Sequence, residues 1–144
     1  MSVMGNVVFG NHAAVVLPRA ARDRVRRFYR DVLGCTITRQ SDDKDDIRVG
    51  DDFYIGILYE ADGVALDEVS FSRATYLELK AKDIDATREQ IVAFGVRVIE
   101  MNDPHLYFQA PGGQPYRLVG SDEDLSNYEG TTDHRELPEH FSAR

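Results

Sequence analysis

The sequence predicts an α+β fold built from two tandem βαβββ modules, and three observations carry that expectation. A strand pair near the end, His105 to Gly120, alternates Leu106, Phe108 and Ala110 with His105, Tyr107 and Gln109. It turns at Pro111-Gly112-Gly113 and continues with polar Arg117 beside apolar Leu118. The same order of strand and helix patterns occurs twice along the chain. Each helix pattern also ends on an apolar residue and a glycine, Leu33-Gly34 and Phe94-Gly95, directly before a strand pattern. A glycine there supplies the left-handed residue that closes a helix.

The elements follow in order. His12-Ala-Ala-Val-Val-Leu17 reads as a strand buried on both faces. Val25, Phe28, Tyr29, Val32 and Leu33 recur at i, i+3, i+4, i+7 and i+8, the spacing of an amphipathic helix that stops at Gly34. Cys35 to Gln40 is a strand, and a polar hairpin leads through Ile47 to Val49 into Phe53 to Tyr59. Residues 61–73 join the halves as a segment of little regular structure. In the second half Tyr76 to Ala81 is a strand, Ile84, Ile91 and Val92 mark a helix face ending at Gly95, and Val96 to Ile99 is the next strand. Module one thus spans about residues 6–60 and module two 74–120, forming one domain over 1–120. An acidic extension, 121–144, follows, in which Ser121 before Asp122, Glu123 and Asp124 reads as a helix start that Leu125 and Tyr128 could dock.

Composition sets further bounds. With 144 residues, 42% of them hydrophobic, the chain has the makeup of one ordinary globular domain. No apolar run approaches the roughly 20 residues that span a bilayer, and the amino terminus lacks a signal-peptide pattern, so no membrane partner and a cytoplasmic location are expected. A net charge of −8 argues against nucleic acid, which needs a concentrated basic surface. The arginines Arg19, Arg22, Arg24, Arg26, Arg27 and Arg30 read as the solvated side of the first helix, and Asp42 to Asp46 as a solvated hairpin tip. That acidic run lacks the spacing of a calcium loop. Cys35, the single cysteine, is expected to pack rather than react, and His134 and His140 in the extension lack the spacing of a metal site.

The segment Phe28-Tyr29-Arg30-Asp31-Val32-Leu33-Gly34 is the most specific motif in the chain. Taken with His12 opening the first strand, Asp83-Ile84-Asp85 opening the second helix and Ala110-Pro111-Gly112-Gly113 before the last strand, it resembles the vicinal oxygen chelate superfamily. That group holds the glyoxalases, bleomycin resistance proteins and extradiol dioxygenases. The resemblance covers roughly residues 6–120. It implies that the two modules form a curved mixed-sheet cup, usually with a divalent metal at its floor and commonly completed by a second chain, so a homodimer is expected.

Carried over residue by residue, the family's metal-ligand positions fall on His12, Gly56, Tyr76 and Arg117, with Glu60 the nearest carboxylate should the register around Gly56 slip. Of the four, His12 alone is a conventional ligand, and a guanidinium repels a cation. The expectation is therefore a cup without the usual metal and without another cofactor, in which Glu78 pairs with Arg117 and His12, Tyr76, Glu78, Tyr107, Gln109 and Arg117 bind a small molecule through an anionic or carbonyl oxygen. No catalytic residue is assigned. Three alternatives stay open: a metal-dependent lyase, isomerase or dioxygenase using His12, a regulatory or interaction module, and a plain structural role for the pair on the wet side of a sheet.

Overall fold

The computed structural model describes residues 9–60 and 74–126. The first module runs β1 (His12–Pro18), a single 3₁₀ turn, α1 (Arg22–Arg27) continuing into a π-helical turn at Phe28–Val32, β2 (Thr36–Gln40), β3 (Lys44–Val49) and β4 (Phe53–Glu60). The second repeats the order with β5 (Leu77–Ala81), α2 (Ile84–Phe94), β6 (Arg97–Ile99), β7 (Leu106–Gln109) and β8 (Pro115–Gly120). Each module forms a four-stranded mixed sheet, ordered β1-β4-β3-β2 and β5-β8-β7-β6. In both, the first strand is parallel to the last and the other neighbours are antiparallel.

The two glycines that echo each other in the sequence do the same job in space. Gly34 has φ 73° and Gly95 φ 90°, left-handed values that end α1's π turn and α2 and send the chain into the next strand. At its start α2 is capped by Asp83, whose Oδ1 accepts the Ala86 N–H at 3.1 Å. Ile84 and Ile91 meet the core as expected, but Val92 does not; it is 48% exposed. A helix turns about 100° per residue, so Val92 lies past the edge of the stripe that Ile84, Ile91 and Phe94 define.

The modules share one core. Phe28 lies fully buried with its ring edge-on to Phe94 and Phe108 of the second module, at centroid distances of 5.4 and 6.0 Å. Beside it the hydroxyls of Tyr29 and Tyr116 are 2.7 Å apart, and burial holds both phenols in the neutral form by raising their pKa values. Gly112 closes the packing from the β7–β8 turn: a Cβ there would stand 2.7 Å from Leu17 Cδ1, and its φ of 91° suits glycine alone. Strand alternation sends Ile47, Ile55 and Ile57 of one sheet and Phe108, Tyr116 and Leu118 of the other into this core. The intervening residues, Tyr54 and Gly56 in one module and Glu78, Tyr107 and Arg117 in the other, occupy the faces turned away from it.

Several expectations are corrected. β1 is not buried on both faces: it is an edge strand paired with β4, Leu17 alone among its residues is fully buried, and Val16 is 54% exposed. The acidic hairpin is not simply a solvated tip, and the arginines are not simply a solvated helix face. Asp45 lies opposite Ile57 in the ladder, on the core side, and is fully buried. Arg26 reaches it with Nε and Nη2, at 2.8 and 2.9 Å, and the Tyr59 hydroxyl donates to it at 2.8 Å. Arg19 and Arg22 donate to the Asp42 carbonyl at 2.7 and 2.8 Å, and Arg24 to the Phe94 carbonyl at 3.0 Å, so the helix is laced to the turn and to the second module. The helix start at Ser121 is absent among the described residues; Gly120 to Glu123 form a turn instead, with Glu123 N–H on the Gly120 carbonyl at 3.1 Å. Tyr128, His134, His140 and the linker 61–73 lie outside the described residues.

Cys35 packs in the core, and burial pushes its thiol up to about 11, which leaves it protonated and unreactive at neutral pH. Among the described residues no helix is long and apolar enough to cross a membrane.

Candidate functional site

The register of the second sheet puts a row of side chains across its outer face. Glu78 on β5 stands opposite Arg117 on β8, Arg117 opposite Tyr107 on β7, and Tyr107 opposite Ile99 on β6. The side chains meet as the register requires: Arg117 Nη2 donates to Glu78 Oε2 at 2.5 Å and Nη1 to the Tyr107 hydroxyl at 3.4 Å. The guanidinium lies 5.4 Å from the centre of the Tyr76 ring, which in turn packs edge-on against Tyr107 at 5.6 Å. Asp103 Oδ2 is 3.9 Å from Arg117 Nη1.

This face is covered at β7 and β8 and open at β5: Arg117 is 5% exposed and Tyr107 and Val119 are fully buried, while Glu78 and Lys80 are exposed. A buried guanidinium needs compensation. Burial works against its charge, but the hydrogen bonds to Glu78 and Tyr107 outweigh that and raise the Arg117 pKa. Tyr107 is held neutral by burial and by its bond to Asp103, at 2.7 Å.

Three residues outside the expected set complete the cluster. Asp103 is fully buried at its carboxylate and, among the described residues, accepts from the Tyr107 hydroxyl, the His105 backbone N–H at 3.2 Å and His105 Nδ1 at 2.6 Å. His105 Nε2 contacts Glu123 Oε2, and Glu123 Oε1 accepts the Gly120 N–H at 3.1 Å. At the entrance to β7 the Asp103 carboxylate caps the chain by accepting the His105 N–H. The bend that leads into β7 also brings this carboxylate to the Tyr107 hydroxyl and within 3.9 Å of Arg117 Nη1.

Burial alone would push the Asp103 carboxyl up, yet the Tyr107 and His105 bonds hold it below the usual carboxylate range. A depressed folded pKa contributes stability above the unfolded value near 4, and this is lost as pH falls through the folded value. Melting temperature is therefore expected to fall on acidification below about pH 4, and Asp103→Asn to flatten that dependence; an unchanged acid limb in the variant would remove Asp103 as its source.

The other expected residues are placed apart from this cluster. Gln109 is buried, with Nε2 on the Gly113 carbonyl at 3.2 Å and Oε1 accepting from Arg97 at 3.2 Å, so it braces the β7–β8 turn. His12 lies on the first module, stacked on Tyr54 at 5.4 Å, beside a depression of about 560 Å³ lined also by Lys44, Asp46 and Gly56. All the lining residues of that depression come from the first module.

The four positions where the resemblance places metal ligands do not fit a metal. Gly56 carries no donor and Arg117 is a paired cation. The carboxylate beside Gly56 is Asp46, its direct ladder partner, rather than Glu60; Asp46 is bonded to Lys44 at 3.2 Å. Among the described residues, no group of three or more His, Cys, Asp or Glu side chains is arranged to hold a metal ion.

A family model described as a glyoxalase-like domain matches residues 14–119. The fold is similar to that of the fosfomycin resistance protein FosX from Mesorhizobium loti, with a TM-score of 0.64 and 17% identity over 88% of this chain and 98% of that one. A variant of FosX from Listeria monocytogenes, in complex with Mn(II) and 1S,2S-dihydroxypropylphosphonic acid, gives 0.65 and 16% over 85% and 98%. Lactoylglutathione lyase from Agrobacterium tumefaciens gives 0.56 and 14% over 81% and 96%. No curated protein sequence matches the chain significantly. The duplicated βαβββ order, the two mixed sheets and the family match over most of its length together show that this chain belongs to the glyoxalase-like family of the vicinal oxygen chelate superfamily.

Proposed function

We propose that this protein binds a small organic molecule on the outer face of the second module, with an anionic or carbonyl oxygen directed to Arg117, and does so without the divalent metal used elsewhere in its superfamily. The observation that carries this reading is the buried Arg117, set between Glu78, Tyr107 and Tyr76 at a position where the family resemblance implies a metal ligand. A guanidinium meets a ligand oxygen with positive charge and a planar fork of N–H donors, the role a metal cation fills in a relative. The FosX structure named above contains Mn(II) and a phosphonic acid, and that favours a small anion as the ligand class while keeping a metal-dependent enzyme using His12 as the second reading.

The cup is proposed to form between two chains. The outer faces of the two sheets turn away from a shared core, His12 and Arg117 sit on different modules, and β1 and β5 are both sheet edges. A second copy would bring the first module of one chain to the second module of the other.

Calorimetric titration with methylphosphonate and with pyruvate, in the presence of a chelator, tests this on the full chain. Saturable binding by at least one of them, lost in Arg117→Met, together with a dimeric mass by light scattering, is expected. One transition metal held per chain by elemental analysis, and lost in His12→Ala, would overturn the metal-free reading in favour of the enzyme.

A further inference from the structure

Another cavity, lined by described residues of both modules, is on neither outer face. It is a cleft of about 780 Å³ between the modules, on the core side of both sheets, within the size range of sites for drug-sized molecules. One wall is Leu33 at the end of the π turn and Phe53 at the start of β4; the other is Leu77 and Leu79 of β5. These four side chains belong to the shared core yet are only half-buried, because β5 is an edge strand. Concave, half-exposed apolar surface of this kind is costly in water and marks a binding site more often than an isolated exposed residue does.

The rim carries both signs, with Lys80 on the outward parity of β5 that it shares with Glu78. Asp83 at the rim is committed to capping α2. Glu78 is committed to Arg117 across the other face of the sheet. Lys82, also lining the cleft, has no ion pair among the described residues. An apolar body against the four side chains and an acidic head at Lys82 would satisfy both features.

We propose that this inter-module cleft binds an amphiphilic organic anion, independently of the outer-face site. The probe is 8-anilinonaphthalene-1-sulfonate, with neutral N-phenyl-1-naphthylamine as its uncharged counterpart. The folded full chain is expected to bind the sulfonate saturably at about one per chain. Lys82→Glu, an exposed change that leaves the core alone, is expected to weaken the sulfonate roughly fivefold to tenfold and leave the neutral probe unchanged. Thr87→Trp, which fills the rim from α2, is expected to abolish both, with circular dichroism confirming the fold. Since Lys82→Glu stands alone, the test survives a misfolded Thr87→Trp.

Equal affinity of wild type and Lys82→Glu for the sulfonate would overturn the proposal. A stoichiometry that falls as chain concentration rises would assign the cleft to a second copy and overturn it too. Stronger probe binding after Leu66→Ser and Phe71→Ser would assign the cleft to the chain's own 61–73 segment, with the same consequence. Arg117→Met, which removes the outer-face anchor, is expected to leave probe binding intact, so failure of one site is distinguishable from failure of the other.

Discussion

Arg26→Ala is expected to cost about 3–5 kcal/mol of stability, the range for removing one partner from a buried ion pair. The reason is Asp45. Its carboxylate is fully buried on the core side of β3 and is held by two Arg26 nitrogens and the Tyr59 hydroxyl, while the Arg26 side chain is 15% exposed. Without the guanidinium, one phenol hydroxyl is left to compensate a buried negative charge. The Arg26 pKa is raised first by its bond to Asp45, which is the same coupling seen from the cation's side. Urea unfolding measures the loss directly. Replacing both residues together, as Arg26→Met with Asp45→Leu, should recover much of it, since the uncompensated charge is then gone. A loss under about 1 kcal/mol for Arg26→Ala would mean that Asp45 is reached by water. Arg30→Ala, which removes an exposed pair with its neighbour Asp31, is the matched control and should leave unfolding unchanged.

Asp45 also shows where sequence reading stops. The run from Asp42 to Asp46 contains four aspartates of nearly identical local context, and its composition describes a wet turn. Which of them turns inward depends on ladder register, and the register follows from Ile47 two positions later taking the core side opposite Ile55. The arginines of α1 and of the 3₁₀ turn before it were opaque for the same reason: their spacing opposes the apolar stripe, but their length lets Arg19, Arg22 and Arg26 reach backbone and side-chain oxygens of the β2–β3 region.

By contrast the two modules were legible because the duplicated order and the glycines after Leu33 and Phe94 are local signals. The Glu78–Arg117 pair was legible because strand parity and a parallel first-to-last pairing place two positions side by side without further information. Asp103, His105 and Glu123 were not. Their meeting depends on the turn after β8 bringing Glu123 back to β7, and no periodicity encodes that. The open outer side of β1 likewise depends on what lies beyond the strand, whereas a run of five apolar residues records only that the strand is apolar.

Arg117→Met is expected to destabilise the protein by about 1–3 kcal/mol, and the partner change Glu78→Gln by less. Methionine keeps most of the side-chain volume and its contact with Tyr76, so the loss reports charge and hydrogen bonding rather than a cavity. Two carboxylates, Glu78 and Asp103, lose a guanidinium neighbour when it is removed. Glu78 is 29% exposed and can turn to water, but Asp103 is fully buried at its carboxylate and cannot. The asymmetry makes a specific claim about the double variant. With Glu78→Gln already in place, Arg117→Met should still cost more than half of its full effect, because the larger share belongs to Asp103 and Tyr107 rather than to Glu78. Complete rescue by Glu78→Gln would show instead that the outer-face cluster is a single ion pair, with Asp103 serving the β7 turn alone. In calorimetry Arg117→Met should also abolish small-anion binding while Glu78→Gln retains it, which separates the guanidinium's role toward a ligand from its role in holding the sheet.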